Sequence, residues 1–267
     1  MNKSAEFDTW SIGQNYDFYM GRWSRQIADN FLDWLAPPRH AAWLDLGCGT
    51  GALTTAILAR CAPRSILSVD PSEGFLAHAR AVVRDERVRF EKASAQDLPA
   101  GDASFDVAAS ALVLNFVPDM QAALAEMRRV LKPGGLLAFY VWDYPGGGMG
   151  FIDAFWKAAA AVDESAGALD EGRRFPFCTP DGLAGICQAA GLVSPVIDSL
   201  EIETVFPDFE AFWLPFTLGA GPAPGYCTSQ PPERQAALKQ QLAQMLGTDR
   251  PISLVARAWA VKARWPE

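Results

Sequence analysis

The sequence predicts an α/β fold: a mostly parallel sheet with helices on both faces. Three observations carry this. Short apolar runs of strand length alternate with segments of helical period from Trp43 to Trp142, the pattern of successive strand–helix–strand units. The first run, Trp43-Leu44-Asp45-Leu46, ends in Gly47-Cys48-Gly49-Thr50-Gly51 and leads directly into the helical Ala52-Leu53-Thr54-Thr55-Ala56-Ile57-Leu58-Ala59-Arg60. The second, Ile66-Leu67-Ser68-Val69, ends in the carboxylate of Asp70. Glycine has no Cβ, so such a loop lets a ligand approach the backbone, and the amides of the new helix face that ligand.

Taken in order, the chain opens with residues 1–38, read as an N-terminal helical lid ahead of a core over 39–267. Ser24 to Leu35 places Ile27, Phe31, Trp34 and Leu35 on one helical face, and Pro37-Pro38 ends it. The stretch around Tyr19 and Arg22 carries few helix or strand signals and is expected to be mobile when the site is empty. Strands are expected at 42–46, 65–70, 87–92, 105–110 and 135–142, and helices at 51–60, 72–83 and 119–131. In the last helix Asp119 is the N-cap, and Met120, Leu124, Met127 and Leu131 share a face.

After Asp143 the pattern changes. Two inserts, 144–178 and 207–250, are read as a helical cap. The first contains a helix near 151–162, and the second closes with a helix that brings Leu238, Leu242 and Met245 into register. Between them Thr179-Pro180 starts a helix as N-cap and N1, ending at Gly191. Leu200, Ile202 and Thr204 alternate with Ser199, Glu201 and Glu203 as a strand, and a last strand spans 252–262.

A net charge of −8 and a pI near 4.9 argue against a nucleic-acid partner, since phosphate binding needs a basic face. Arg80, Arg84, Arg87, Arg89 and Lys92 are interleaved with acids and read as a solvated face. Cys48, Cys61, Cys178, Cys187 and Cys227 are scattered, with neither a disulfide pattern nor metal-ligand spacing. The first 30 residues hold Glu6, Asp8, Asp17 and Asp29 and no apolar core, so no secretory leader is expected. No apolar run approaches the ~18 residues of a membrane span. A reducing cytoplasm, with neither a membrane nor a metal involved, is the expectation.

The glycine loop alone leaves the cofactor open. Gly47, Gly49 and Ala52 satisfy the G-x-G-x-x-A form of the dinucleotide fingerprint, and Asp70 lies at the roughly 20-residue spacing of a ribose-binding acid. An NAD-dependent oxidoreductase is therefore one reading. Further blocks narrow the choice. Asp45 stands two residues before Gly47; Ser94-Ala95-Gln96-Asp97-Leu98-Pro99 precedes Ser104-Phe105-Asp106-Val107; and Arg128-Arg129-Val130-Leu131-Lys132-Pro133-Gly134-Gly135 precedes the fifth strand. In this order the blocks resemble the class I S-adenosylmethionine-dependent methyltransferases, and within them the ubiquinone/menaquinone-biosynthesis type (methyltransferase type 11).

The resemblance implies a Rossmann-like seven-stranded sheet with an antiparallel last strand and S-adenosyl-L-methionine as cofactor. It implies that Asp70 and Pro71 meet the ribose. Asp45, Gly47, Cys48, Gly49 and Thr50 would form the loop under the methionine part, with Cys48 a small filler. Ser94, Ala95 and Gln96 would meet the adenine, and Ser110 would border the methionine. It also implies an N-terminal segment, with Tyr19 and Arg22, folded over the cofactor. Arg22 is then either a bidentate partner of the methionine carboxylate or a surface residue.

Methyl transfer from a sulfonium needs no acid, and a base only where the acceptor holds its proton until attack. The chain has Leu114-Asn115-Phe116 where many relatives carry a histidine; His40 and His78 read as structural. Asp143 and Tyr144, at the end of the fifth strand, are the candidate bases, with a loop-capping role open for Asp143. Phe151, Phe155, Trp156, Phe175, Phe209, Phe212, Trp213 and Phe216 are expected to form the cap core, with a few lining the pocket of a small apolar or aromatic acceptor. A non-catalytic cofactor-binding regulatory protein is the alternative outside enzymes.

Overall fold

Seven strands form one sheet in the order β3-β2-β1-β4-β5-β7-β6. A computed structural model describes residues 16–265. The strands are β1 (Ala42–Leu46), β2 (Ser65–Asp70), β3 (Val88–Lys92), β4 (Phe105–Ala111), β5 (Leu131–Trp142), β6 (Val196–Phe206) and β7 (Ile252–Arg264). From β3 to β5 all pairings are parallel, and β7 inserts antiparallel between β5 and β6. Strand order reverses between β1 and β4. In an open α/β sheet that reversal opens a crevice at the carboxyl ends of the strands.

The helices are α1 (Arg22–Leu35), α2 (Ala52–Arg60), α3 (Glu73–Val82), α4 (Met120–Val130), α5 (Gly150–Val162), α6 (Glu171–Arg174), α7 (Pro180–Ala189), α8 (Phe209–Trp213), α9 (Pro222–Ser229) and α10 (Pro232–Leu246). One face of the sheet packs against α1, α2 and the cap through Trp43, Ile57, Phe31 and Tyr140. The other packs against α4 and α7 through Leu44, Met127, Phe139 and Leu183. The caps expected at Asp119 and Thr179 form, their side chains accepting from the Ala122 and Gly182 amides, and Ser72, expected inside its helix, is instead the N-cap of α3 and accepts from the Phe75 amide. All five cysteines are free and buried. Arg80, Arg87 and Arg89 pair with Glu73, Asp85 and Glu91. Among the described residues no helix is long and apolar enough to cross a membrane.

Three elements differ from the expectation. Asp17–Gly21 is a π-helical turn running straight into α1, not irregular backbone. Tyr19 and Trp23 are buried there, Tyr19 edge-on to Phe151 and Phe216 (5.8 Å each) and Trp23 to Phe206 (5.6 Å). Aromatic burial outweighs the weak local propensity. Residues 1–15 of the expected lid lie outside the described residues. Leu131 belongs to β5, paired with Phe105, rather than to the preceding helix. Pro133 disfavours helical backbone at Lys132, so α4 stops at Val130. In α10 Leu238 and Leu242 are buried, but Met245 is 41% exposed, since the apolar stripe ends before the last turn.

Candidate active site

The glycine loop folds over the end of β2. The Gly47 and Cys48 amides donate to the Val69 carbonyl at 2.8 and 3.0 Å. Gly47 has φ +74°, and a Cβ there would stand 2.5 Å from Val113 Cγ1. Gly49 has φ +53° with no atom within 4 Å of its Cβ position, so its backbone borders open space. Both positions favour glycine by conformation, Gly47 also by contact.

Asp45 lies behind the loop, fully buried. Its Oδ2 accepts from Thr54 Oγ1 at 2.6 Å, and the Thr54 and Ser68 hydroxyl oxygens are 2.8 Å apart. Because the threonine proton goes to Asp45, Ser68 donates to Thr54. The chain links β1, α2 and β2. Asp45 Oδ1 has no partner among the described residues, and burial pushes the carboxyl up to about 7.

Asp70 is 6% exposed. Its Oδ2 accepts from the Gly49 amide at 3.0 Å and its Oδ1 from the Ser72 amide at 2.8 Å. Burial raises its pKa, and the two amides oppose the rise. Each oxygen retains acceptor capacity. Asp70 and Pro71 line a cavity of ≈ 680 Å³ that also takes in Gly47, Cys48, Gly49 and Thr50. Burial pushes the Cys48 thiol well above its usual range, which suits a filler. Ser94, Ala95 and Gln96 form another part of the wall, with the Gln96 amide donating to Ser94 Oγ at 3.2 Å.

Four expected site residues do not line this cavity. Asp45 sits behind the loop. Ser110 is fully buried within β4. Arg22 lays its guanidinium over Trp23 and Phe206, 4.2 and 4.8 Å from the ring centres. Asp143 accepts from the Gly146 amide at 3.0 Å and from Arg257 Nη1 at 3.2 Å, and is 1% exposed. A Cβ at Gly146 or Gly148 would collide with it at 2.5 or 2.6 Å, so it organises the glycine-rich turn after β5. Tyr19 and Tyr144 do line the cavity. Burial pushes the Tyr144 phenol well above its ordinary pKa, with nearby Glu171 adding to the rise, so it stays protonated near neutrality. Neither histidine lines the cavity.

The eight cap aromatics are buried, and none reaches the cavity wall, contrary to the expectation that a few would. Phe155 stacks on Phe216 at 4.5 Å, and Phe212 lies 5.5 Å from Phe216. Rings packed so fully against each other leave no face for a ligand. The cap side of the wall is instead Tyr144, Ile152, Glu171 and Pro222, beside Tyr19 and Trp142. Glu171 was not among the expected residues. In sequence Asp170-Glu171-Gly172-Arg173-Arg174 reads as a charged surface turn, and nothing local marks its one buried acid.

The donor set fits S-adenosyl-L-methionine. Asp70 offers paired acceptors for a ribose diol, and Gly49 offers open backbone. The lining contains two carboxyl groups, Asp70 and Glu171, and no lysine or arginine among the described residues. A wall without basic side chains is compatible with a sulfonium cation.

A methyltransferase-domain family profile matches residues 44–139. The ubiquinone/menaquinone biosynthesis C-methyltransferase of Brucella anthropi is 37% identical over 114 residues, 40% of this chain and 43% of that protein. The trans-aconitate 2-methyltransferase of Deinococcus radiodurans is 35% identical over 134 residues, 50% of this chain and 49% of that protein. The chain thus spans about half the length of these relatives. Among solved structures, Haemonchus contortus phosphoethanolamine N-methyltransferase 2 in complex with S-adenosyl-L-methionine shares the fold at TM-score 0.61 and 16% identity, over 96% of this chain and 57% of that one. The [4+2]-cyclase SpnF does so at 0.55 and 21%, over 91% and 80%. The matched domain runs from β1 through the glycine loop to β5, through residues that border the cavity, and the seven-stranded fold is the one these solved structures share.

Proposed function

We propose that the protein transfers a methyl group from S-adenosyl-L-methionine to a small, largely apolar organic acceptor seated under the cap. The observation that carries this is the single cavity wall joining Asp70 and the glycine loop to Tyr144, Ile152 and Glu171, with no basic residue in it. When bound, the cofactor supplies a methyl carbon on a positively charged sulfur that leaves as neutral sulfide.

In this reading Asp70 holds the ribose, Ser94, Ala95 and Gln96 hold the adenine, and the loop from Gly47 to Thr50 lies under the amino-acid part. Asp45 positions that loop through Thr54. Asp143 is engaged with Arg257 and Gly146 and holds the turn that carries Tyr144. Tyr144, protonated, acts as a hydrogen-bond donor. Tyr16, Tyr19, Met20 and Ser24 of the helical segment before β1 cover one side of the cavity. Much of the rate then comes from holding two reactants in line with water excluded, worth ~7–11 kcal/mol in favourable cases. The relatives are named for quinone precursors and for trans-aconitate, so the shared half does not carry acceptor choice. Five free, buried cysteines fit a reducing cytoplasm.

Calorimetry with S-adenosylhomocysteine and with NAD tests the reading, together with label transfer from methyl-labelled cofactor to a panel of small acceptors. Tight binding of the former and transfer to at least one acceptor are expected. Preferred binding of NAD would overturn the reading. Cofactor binding with no transfer to any acceptor would favour a regulatory role, and the shared fold with a cyclase shows that this architecture is not tied to one reaction.

A further inference from the structure

Glu171 is the one ionisable group on the cap side of the cavity that carries a carboxyl, and it is 1% exposed. Groups from three other elements surround it. Trp156 of α5 donates its Nε1–H to Glu171 Oε2 and pins the carboxyl. Tyr19, from the turn before α1, lines the same wall with a buried hydroxyl that has no partner among the described residues. Tyr144, from the loop after β5, lies against the start of α6: a Cβ on Gly172 would stand 3.0 Å from its carbonyl oxygen. Burial raises the pKa of both phenols, and the charge of Glu171 adds to the rise. Arg174 and Asp170 flank Glu171 on its own segment, and neither lines the cavity.

Leaving a carboxyl in an apolar wall is costly unless something answers it. Burial pushes Glu171 up to about 8, with the Trp156 hydrogen bond and Arg174 opposing the rise. The rest of the cap-side wall is apolar, through Met20, Trp142, Ile152 and Pro222. A carboxyl perturbed by burial in a cavity wall is a candidate functional group. An anionic acceptor would face this acid with no lysine or arginine in the wall to offset it.

We propose that Glu171, with Tyr19 and Tyr144 in the same cavity wall, is the polar anchor of the acceptor subsite, and that it selects an apolar or aromatic molecule bearing a proton-donating amine or hydroxyl over one bearing a free carboxylate. This rests on reading the cavity as holding cofactor and acceptor together.

Binding to protein saturated with S-adenosylhomocysteine tests it, followed by ligand-observed NMR at millimolar ligand. The probes are size-matched aryl-alkyl amines, alkylphenols and aryl-alkyl carboxylates. Amines and phenols should bind, and carboxylates at least tenfold more weakly. Amine affinity should climb several-fold between pH 6.5 and 8.5 as Glu171 ionises, and phenol affinity should stay nearly flat, which separates the two sources of the donor. Glu171→Gln keeps an oxygen for Trp156; it should retain S-adenosylhomocysteine binding, lose at least tenfold in amine affinity and lose the pH rise. Tyr19→Phe should weaken both amines and phenols by a few-fold. Carboxylates binding as well as amines, unchanged affinities in a Glu171→Gln protein that still binds S-adenosylhomocysteine, or no binding of any amine or phenol would each overturn the proposal while leaving the methyl-transfer reading in place. Failure of the wild-type protein to bind S-adenosylhomocysteine would instead remove that reading and this proposal with it.

Discussion

The two sides of the cavity are built in different ways. On the side proposed for the cofactor, the wall is largely backbone: Gly47 and Gly49 at positive φ, amides folded over Val69, and one carboxylate at a strand end that is itself held by two amides. These features come from short contiguous segments at the ends of neighbouring parallel strands. On the cap side, the wall is made of single side chains from distant places, Tyr19, Trp142, Ile152, Glu171 and Pro222, each brought in by a separate element. A backbone-built site constrains which residues occupy consecutive positions. A side-chain-built site constrains only where isolated residues end up, so the acceptor side is free to vary within one fold.

The comparison can be broken at several points. The largest expected effect is on the cap core: Phe155→Ala removes the ring stacked on Phe216 and should cost about 3–5 kcal/mol of stability by denaturant titration. A loss of acceptor binding with stability intact would instead return Phe155 to the cavity wall. Asp70→Ala should leave the fold in place and cost roughly 1.5–3 kcal/mol in S-adenosylhomocysteine binding, a rise in Kd of at least about tenfold by calorimetry. Unchanged affinity would remove Asp70 from the cofactor side.

Glu171→Gln sharpens the contrast through stability. The carboxyl ionises near 4.5 in the unfolded chain and at about 8 when folded. Between these values the folded state holds the extra proton, so the contribution to stability is full below the lower value and is lost as pH rises through the upper one. Glutamine does not titrate. The Tm of the variant should therefore gain on that of the wild type by a few degrees between pH 5 and 8.5, and a difference independent of pH would mean that Glu171 is solvated. Asp143→Asn should cost about 1–2 kcal/mol through the weakened link to Arg257 and leave the pH–rate profile unchanged. A flattened acidic limb would restore Asp143 as the base. The smallest effect is expected for Arg22→Ala, about 0.5–1 kcal/mol of stability from the lost Trp23 and Phe206 contacts, with cofactor affinity unaltered. A weakened cofactor would place Arg22 on the methionine carboxylate after all.

How legible each region was follows from the same physics. The strand ends at Leu46 and Asp70, the glycine loop and the N-caps at Asp119 and Thr179 are local, and local sequence pattern marks them. The turn at Asp17–Gly21 escaped that reading because its helicity is imposed by packing against Phe151 and Phe216. Leu131 shares the helical spacing of Leu124 and Met127, and only its pairing with Phe105 in the sheet takes it out of the helix. Eight cap aromatics were visible in the sequence, but an aromatic in a stretch of amphipathic helix has the same local signature whether it faces another ring or a ligand.

By itself, then, the sequence determined the strand–helix alternation, the glycine loop and its paired acid, and through them the sheet and the cofactor side, because each depends on residues adjacent in the chain or on the direction in which parallel strands end. Only the tertiary structure decided that Asp143 turns to Gly146 and Arg257, that Arg22 lies over rings, and that Glu171 is the acid left in the cavity wall. Burial and charge pairing are properties of what surrounds a side chain, and for these residues the surroundings come from segments as far apart as β7, the turn before α1 and the cap, whose meeting no local pattern records.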